Sequence, residues 1–182
     1  MGVAVSPEQL KIEAERAYKS KDYLSAAQSF SAAADGYTHT ADELQAAEML
    51  NNASVAYLQD DQPELALDAA LHTDQVFAAA GDPHRQAIAL GNQGAAYEAL
   101  GQLESAVQAY QESADLLKDA GDRELRSTVM QSLSAVQLRL GQQMDALVTM
   151  QSGLEAIEKP SLKQKLIKKI LRSPFSYFNR LT

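Results

Sequence analysis

The stretch AIALGNQGAAYEALGQLESAVQAYQESADLLKDAGD, from Ala87 to Asp122, decides the fold. Its marked positions are Leu90, Gly94, Tyr97, Gly101, Ala106, Tyr110 and Ser113, and it closes on Gly121-Asp122. Large, small, aromatic, glycine, alanine, aromatic, small is the order of two helices packed closely across one short turn. A step of 40 residues recovers much of this order elsewhere. Ala106 falls on Ala26, Ala66 and Ala146, Gly101 on Gly141, Tyr97 on Tyr57, and Gly121-Asp122 on Gly81-Asp82. The chain reads as one helix pair written about four times.

Working outward from that unit, the repeats divide the chain at about 6–40, 41–81, 82–121 and 122–159. A short arm, 1–5, precedes them, and a tail, 160–182, follows. Met1-Gly2 with Ser6 formally fits a loose myristoylation pattern, but the plainer reading of 1–5 is a flexible start. Ser6-Pro7-Glu8-Gln9 is a helix opening, with Ser as cap, Pro at the first helical position and Gln three residues on. Thr40 with Glu43 repeats the capping-box spacing and is expected to open the second repeat. There Asp60-Asp61-Gln62-Pro63 forms the turn, and Ala66, Ala70 and Thr73 line one second helix that runs to Gly81. Gly81 is expected in the left-handed conformation that closes a helix. Asp82-Pro83 and Asp122 cap the third and fourth repeats. Gly94 and Ala106 are read as the closest approach within a pair. Tyr97 and Tyr110 are read as filling the space between successive pairs.

Composition agrees with close helix packing. Apolar residues make up 46% of the chain but aromatics only 6%, with no Trp, so alanine supplies much of the apolar content. The absence of Cys excludes disulfides, thiolate metal sites and a cysteine nucleophile. It is compatible with a cytoplasmic protein, which is the expected location. No apolar run approaches the roughly 18 residues that span a bilayer, and the start lacks the pattern of a secretory signal. Charge is unevenly placed. All 24 acidic residues precede Pro160, against 10 bases there, a net of −14; the tail carries six bases and no acid. Such a body does not suit nucleic acid. It favours basic or apolar partners, and the tail favours an acidic surface.

The spacing Leu90-x3-Gly94-x2-Tyr97-x3-Gly101-x4-Ala106-x3-Tyr110-x2-Ser113 resembles the tetratricopeptide repeat, with Ser113 in place of the usual alanine. The resemblance covers Ser6 to Lys159. A tetratricopeptide unit is normally 34 residues long; the six extra residues here add about 9 Å of helix. That variant is similar to the long-helix repeats of kinesin light chains and related adaptors. HEAT and armadillo arrays have a period near 40 but lack this residue order. The resemblance implies an all-α, right-handed solenoid of four helix pairs, capped by a C-terminal helix.

Nothing in the sequence reads as an active site, and no cofactor or metal is implied. His39, His72 and His84 have no spacing that gathers metal ligands. Gly91-Asn92-Gln93-Gly94 follows no strand and is helix packing rather than a phosphate cradle. A non-enzymatic binding role is the expectation. The resemblance implies a concave groove lined by the first helix of each pair, with Asn often at the position held here by Ile12, Asn52, Asn92 and Ser132. An amide there both donates to and accepts from a peptide bond. The expected peptide-binding groove is Asn51, Asn52, Val55, Ile88, Gly91, Asn92, Ala95, Gln131, Ser132 and Ala135. Gly91, Ala95 and Ala135 leave its wall shallow in side chain, which suits a peptide carrying its own anchors. A chaperone-type clamp for a C-terminal Glu-Glu-Val-Asp needs a cationic fork that Glu15, Gly91 and Ala95 do not supply.

The tail offers a second kind of function. Leu162, Leu166, Ile167, Ile170 and Leu171 form a stripe at helical spacing, read first as a helix capping the fourth repeat. Lys165, Lys168, Lys169 and Arg172, with Phe175, Tyr177 and Phe178, are also suited to an anionic membrane surface. They are suited as well to the acidic groove of the same chain or of a second copy. The leading expectation is an adaptor that binds a peptide or protein segment around Asn52 and Asn92. The alternative is a membrane-peripheral or self-assembling scaffold acting through the tail.

Overall fold

The computed structural model describes residues 5–156 together with 164 and 165, and these are helices joined by tight turns, with no strand among them. In chain order the helices are α1 (Pro7–Lys19), α2 (Tyr23–His39), α3 (Glu43–Gln59), α4 (Pro63–Ala70) and α5 (Thr73–Ala79), followed by α6 (Pro83–Ala99), α7 (Leu103–Ala120), α8 (Arg123–Arg139) and α9 (Gln143–Ala156). Four pairs stack in sequence: α1/α2, α3 with α4 and α5, α6/α7, and α8/α9. α6 also packs directly on α3 and α8, so those first helices form one layer. This is an all-α solenoid, and the four-pair reading is borne out. The expected capping helix from 160 onward falls outside the described residues, apart from the helical residues 164 and 165.

The turns show a finer period than the pairs do. Lys21, Ala41, Asp61, Gly81, Gly101, Gly121 and Gly141 all take positive φ, between 57° and 76°, and they are spaced 20 residues apart. At each, the backbone closes in the same way. Gln102 N donates to Tyr97 O at 2.9 Å and Gly101 N to Glu98 O at 3.0 Å, and Asp122 N repeats the first bond to Leu117 O at 3.0 Å. These are the paired bonds of a Schellman closure, which satisfy carbonyls left over at a helix end. The residue after each left-handed turn stands at the N-cap of the next helix. Asp22, Asp42, Asp82 and Asp122 each accept a backbone N–H there through the side chain. The second repeat is therefore opened by Asp42, which accepts from Gln45 N at 3.1 Å, and not by Thr40. Thr40 ends α2 and turns its hydroxyl back to Tyr37 O. Ser6 caps α1 as expected, but Gln9 closes no box, because its amide goes to Glu13.

Small residues set the distance between helices. Ala26, Ala66, Ala106 and Ala146 are all at most 1% exposed. Gly94 meets the ring of Tyr110: a Cβ at Gly94 would stand 2.7 Å from Tyr110 Cδ1. Tyr110 thus fills the space inside its own pair rather than only the space between pairs. Its hydroxyl donates to Glu98 Oε2 at 3.1 Å. Burial, then the Glu98 carboxylate, push its pKa up. Ser113, where alanine is usual, donates to Ala87 O at 2.7 Å and fastens α7 to the start of α6.

The second repeat departs from the expected single helix. Ala70 stands in register with Phe30 and Tyr110, which fill this place in the first and third repeats. After it the helix stops. Leu71 is extended with ψ 137°, His72 is left-handed with φ 67°, and α5 restarts at Thr73. The carbonyl freed at Ala70 is satisfied by the Thr73 hydroxyl at 2.7 Å and by Gln93 Nε2 of α6 at 3.1 Å. Gln93 also donates to Asp74 Oδ1 at 2.7 Å, and Thr73 reaches Asn51 Oδ1 at 3.3 Å. A buried polar network therefore locks the break against α3 and α6.

Candidate partner-binding face

The first helices α3, α6 and α8 lie side by side, and most of the expected groove residues fall on them with part of the side chain open. Asn52, Val55, Ile88, Gly91, Asn92, Ala95 and Ser132 are half-buried, whereas Gln131 and Ala135 are exposed. On α6 the opposite side is closed, with Ala89, Leu90, Gln93, Gly94 and Ala96 buried. One helix thus carries a packed side and an open side, as periodicity at 3.6 residues requires.

Asn51 is the exception. It is 6% exposed, and its Oδ1 accepts from Thr73 and, at 3.4 Å, from Asn92 Nδ2. Its amide is used inside the fold. Asn92 is tethered to it at one atom while the rest of its side chain stays half open, so a pre-oriented amide faces the surface. Residue type alone does not announce this pairing, since Asn51 and Asn92 stand one position apart in the 40-residue register.

Charge along this face is already matched in pairs. Arg139 Nη1 lies 3.0 Å from Glu98 Oε1, and that same carboxylate holds the Tyr110 hydroxyl, so Glu98 joins α6, α7 and α8. Arg85 pairs with Asp82 at 2.6 Å and with Glu48 of α3 at 3.6 Å, and it lies over the Phe77 ring at 5.1 Å. His84 Nε2 lies 3.0 Å from Asp122 Oδ2, linking α6 to the cap of α8. The carboxyls of Asp82 and Asp122 are held below the usual carboxylate range. The leading causes are the Arg85 N–H for the first and the Leu125 N–H for the second. Arg85 and Arg139 are thus both engaged by carboxylates.

Two cavities lie at one repeated place, where a second helix ends beside the start of the next first helix. In the second repeat a cavity of about 200 Å³ is lined by Ala46, Ala47, Leu50, Leu71 and Val76, with Thr38, Glu43, His72 and Thr73. It opens beneath the helix break, which sequence reasoning missed because neither Gly nor Pro marks it. The available signal was Ala70 in an aromatic register position and Gln93 in register with buried Ala53 and Leu133. In the fourth repeat a cavity of about 580 Å³ is lined by Leu117, Lys118, Gly121, Arg123, Arg126, Ser152 and Glu155.

Of the tail residues, Lys165 is described and exposed; Lys168, Lys169, Arg172, Phe175, Tyr177 and Phe178 lie outside the described residues. Among the described residues no group of three or more His, Asp or Glu is placed to hold a metal ion, and no helix is long and apolar enough to cross a membrane.

Comparison with known proteins places this architecture. No curated protein matches the chain. The family described as "Soluble NSF attachment protein, SNAP" matches residues 7–178, from the first residue of α1 through the whole described array and into the tail. A match over that length, on a chain that is a helical solenoid throughout its described residues, settles the family: this chain belongs to the soluble NSF attachment protein (SNAP) family.

Proposed function

We propose that the chain is a non-enzymatic cytoplasmic adaptor that takes a protein segment on the inner layer formed by α3, α6 and α8. The observation that carries this reading is the continuity of the open side. Asn52 and Val55 on α3, Ile88, Gly91, Asn92 and Ala95 on α6, and Ser132 and Ala135 on α8 stay accessible, and α6 packs on both α3 and α8. Gly91 and Ala95 bring the α6 backbone within reach of a ligand, and Asn92 offers amide groups to a peptide bond. The pairing of Glu98 with Arg139 and of Glu48 with Arg85 removes the free charges that would demand an acidic ligand, so the segment is basic or apolar. We read the repeats as tetratricopeptide-like with long helices, of the kinesin-light-chain kind. The family's description, an attachment protein for NSF, supports a protein as the partner.

The test is capture of protein partners from native lysate by the full chain and by the Asn52→Ala/Asn92→Ala double variant, followed by titration of the recovered segment. Loss of a partner in the double variant, with unchanged helicity, is the expected result. Equal capture by both would sink the groove assignment.

A second reading has its own observation. Met144 and Val148 on α9 are 64% and 52% exposed, in register with Glu104 and Gln108 of the third repeat and Glu64 and Asp68 of the second. An apolar pair where the second and third repeats carry polar residues favours a contact beyond the fourth repeat, made by the tail or by a second copy. Sedimentation of the full chain and of Met144→Glu/Val148→Glu tests it. A dimer lost in the variant supports a second copy on this pair, and monomers in both refute self-assembly through it.

A further inference from the structure

Charge in this chain is segregated more sharply than the division into body and tail shows. Residues 22–84, from the cap of α2 to the start of α6, hold eleven Asp and Glu and no Lys or Arg. The tail, 160–182, holds six Lys and Arg and no Asp or Glu. A surface of one sign over this length repels itself and attracts a basic occupant. Charge by itself names no site; the shape within the acidic stretch does.

The cavity of about 200 Å³ beneath the helix break lies wholly inside that stretch, with every lining residue between Thr38 and Val76. Ala46, Ala47, Leu50, Leu71 and Val76 make its wall apolar, and Glu43 and His72 stand exposed at its rim. The bonds from Thr73 and Gln93 to Ala70 O hold the break in place, so the space does not close by straightening of the helix. An apolar cavity of about 150 Å³ holds a benzene ring, so this one has room for one aromatic side chain. Rings are scarce in the chain. Three of its eleven, Phe175, Tyr177 and Phe178, fall within four positions of the tail, between Arg172 and Arg180. Ser173-Pro174 separates them from the stripe read as a capping helix. A ring between bases is the complement of an apolar cavity set among carboxylates.

We propose that the helix-break cavity receives an aromatic side chain of the tail segment 172–180, with Arg172 and Arg180 set against the carboxylates of the first two repeats. A segment joined to its own site is present there at an effective concentration that a free basic peptide does not reach. The tail of the same chain and the tail of a second copy offer the same chemistry, and the experiment below separates them. The contact is independent of the inner-layer groove: Ala46 and Ala47 are buried on the packed side of α3, whereas Asn52 and Val55 stand on its open side.

The chain has no Cys, so introduced pairs report the contact directly. A disulfide forms where two Cα atoms come within about 7 Å. The experiment is mild oxidation of the full chain carrying Thr38→Cys at the cavity with Ser176→Cys in the tail. It is compared with Ser132→Cys on the inner layer paired with the same Ser176→Cys, and with Ser176→Cys alone as the baseline. Non-reducing gels read the rate and show whether the bond closes within one chain or joins two copies; either supports the proposal and names the tail's source. The cavity pair should close about tenfold faster than the inner-layer pair, the advantage of a docked segment over a merely tethered one. Phe175→Ala/Tyr177→Ala/Phe178→Ala should remove that advantage, and about 0.5 M NaCl should reduce it. Equal rates at the two places, faster closure at Ser132, or an advantage that survives loss of the three rings overturns the proposal. As a second reading free of Cys, the triple alanine variant should exchange amide hydrogens faster than the parent over residues 71–76, with circular dichroism unaltered. Unchanged exchange there overturns the proposal as well.

Discussion

Two glycines three residues apart on α6 should respond to the same substitution with opposite signs. Alanine is favoured over glycine in a helix interior by about 1 kcal/mol, so either replacement begins with that gain. At Gly91 the nearest atom to an added Cβ is Ser113 Oγ at 3.6 Å, an ordinary contact. At Gly94 the added carbon would meet three Tyr110 ring atoms at 2.7, 2.8 and 3.0 Å. That ring is rigid, 4% exposed and anchored through its hydroxyl to Glu98, so it cannot swing aside freely. Overpacking of this kind costs about 1–3 kcal/mol, and it outweighs the propensity gain. For a chain of this size about 1 kcal/mol moves the melting temperature by about 2–4 °C. Gly91→Ala should therefore raise it by about that much, and Gly94→Ala should lower it by a similar amount or more. Thermal unfolding followed by circular dichroism reads both. If Gly94→Ala raises the midpoint as Gly91→Ala does, Tyr110 is not pinned and the packing described for the third pair is wrong.

The left-handed turns give a second test. Ala41→Gly relieves a conformation that costs an L-residue roughly 1–2 kcal/mol, less the extra chain entropy of glycine. It should stabilise by about 0.5–1 kcal/mol in denaturant unfolding. Gly121→Ala should destabilise by a similar amount, with no steric part, because nothing lies within 4 Å of the added carbon. Gln93→Leu leaves Ala70 O and Asp74 short of a buried donor. It should cost about 1–3 kcal/mol and speed hydrogen exchange in α4 and α5 before α1 and α2; uniform acceleration would argue against a local lock. Acid should act through the caps. Asp82 and Asp122 have folded pKa values below the ordinary 3.8, so they stabilise the fold above that value and lose the contribution as pH falls through the folded pKa. Urea midpoints measured from pH 7 to pH 2 should therefore fall less steeply below about pH 4 in Asp82→Asn/Asp122→Asn than in the parent. Equal slopes would remove these two groups from the acid response.

The 40-residue register was legible because Gly101 and Gly141, Gly81 and Gly121, and the alanines of the second helices mark it in residue type. The 20-residue period beneath it was not, because Lys21, Ala41 and Asp61 adopt the same left-handed turn without glycine to announce it. There the Schellman bonds, joined after Lys21 and Ala41 by the following Asp cap, impose a conformation that local preference disfavours. The break after Ala70 escaped for a related reason. No Pro or Gly stops the helix; an absent ring and a glutamine 23 residues away in α6 do so together, and that pairing is tertiary. The face of α3, α6 and α8 was readable to the level of which side is open. It was not readable to the level of Asn51, whose amide points into the fold because Thr73 sits opposite only when α5 restarts. The basic junction of the fourth repeat was present in the sequence as Lys118, Arg123 and Arg126, but only the fold brings two ends of the third and fourth pairs together around it.

The most direct test of the central claim is hydrogen exchange on the full chain with and without the captured protein partner. Binding on the inner layer predicts new protection concentrated in α3, α6 and α8 around Asn52, Asn92 and Ser132, absent in Asn52→Ala/Asn92→Ala. Protection confined to the outer helices α7 and α9, with the inner layer unchanged, would contradict it.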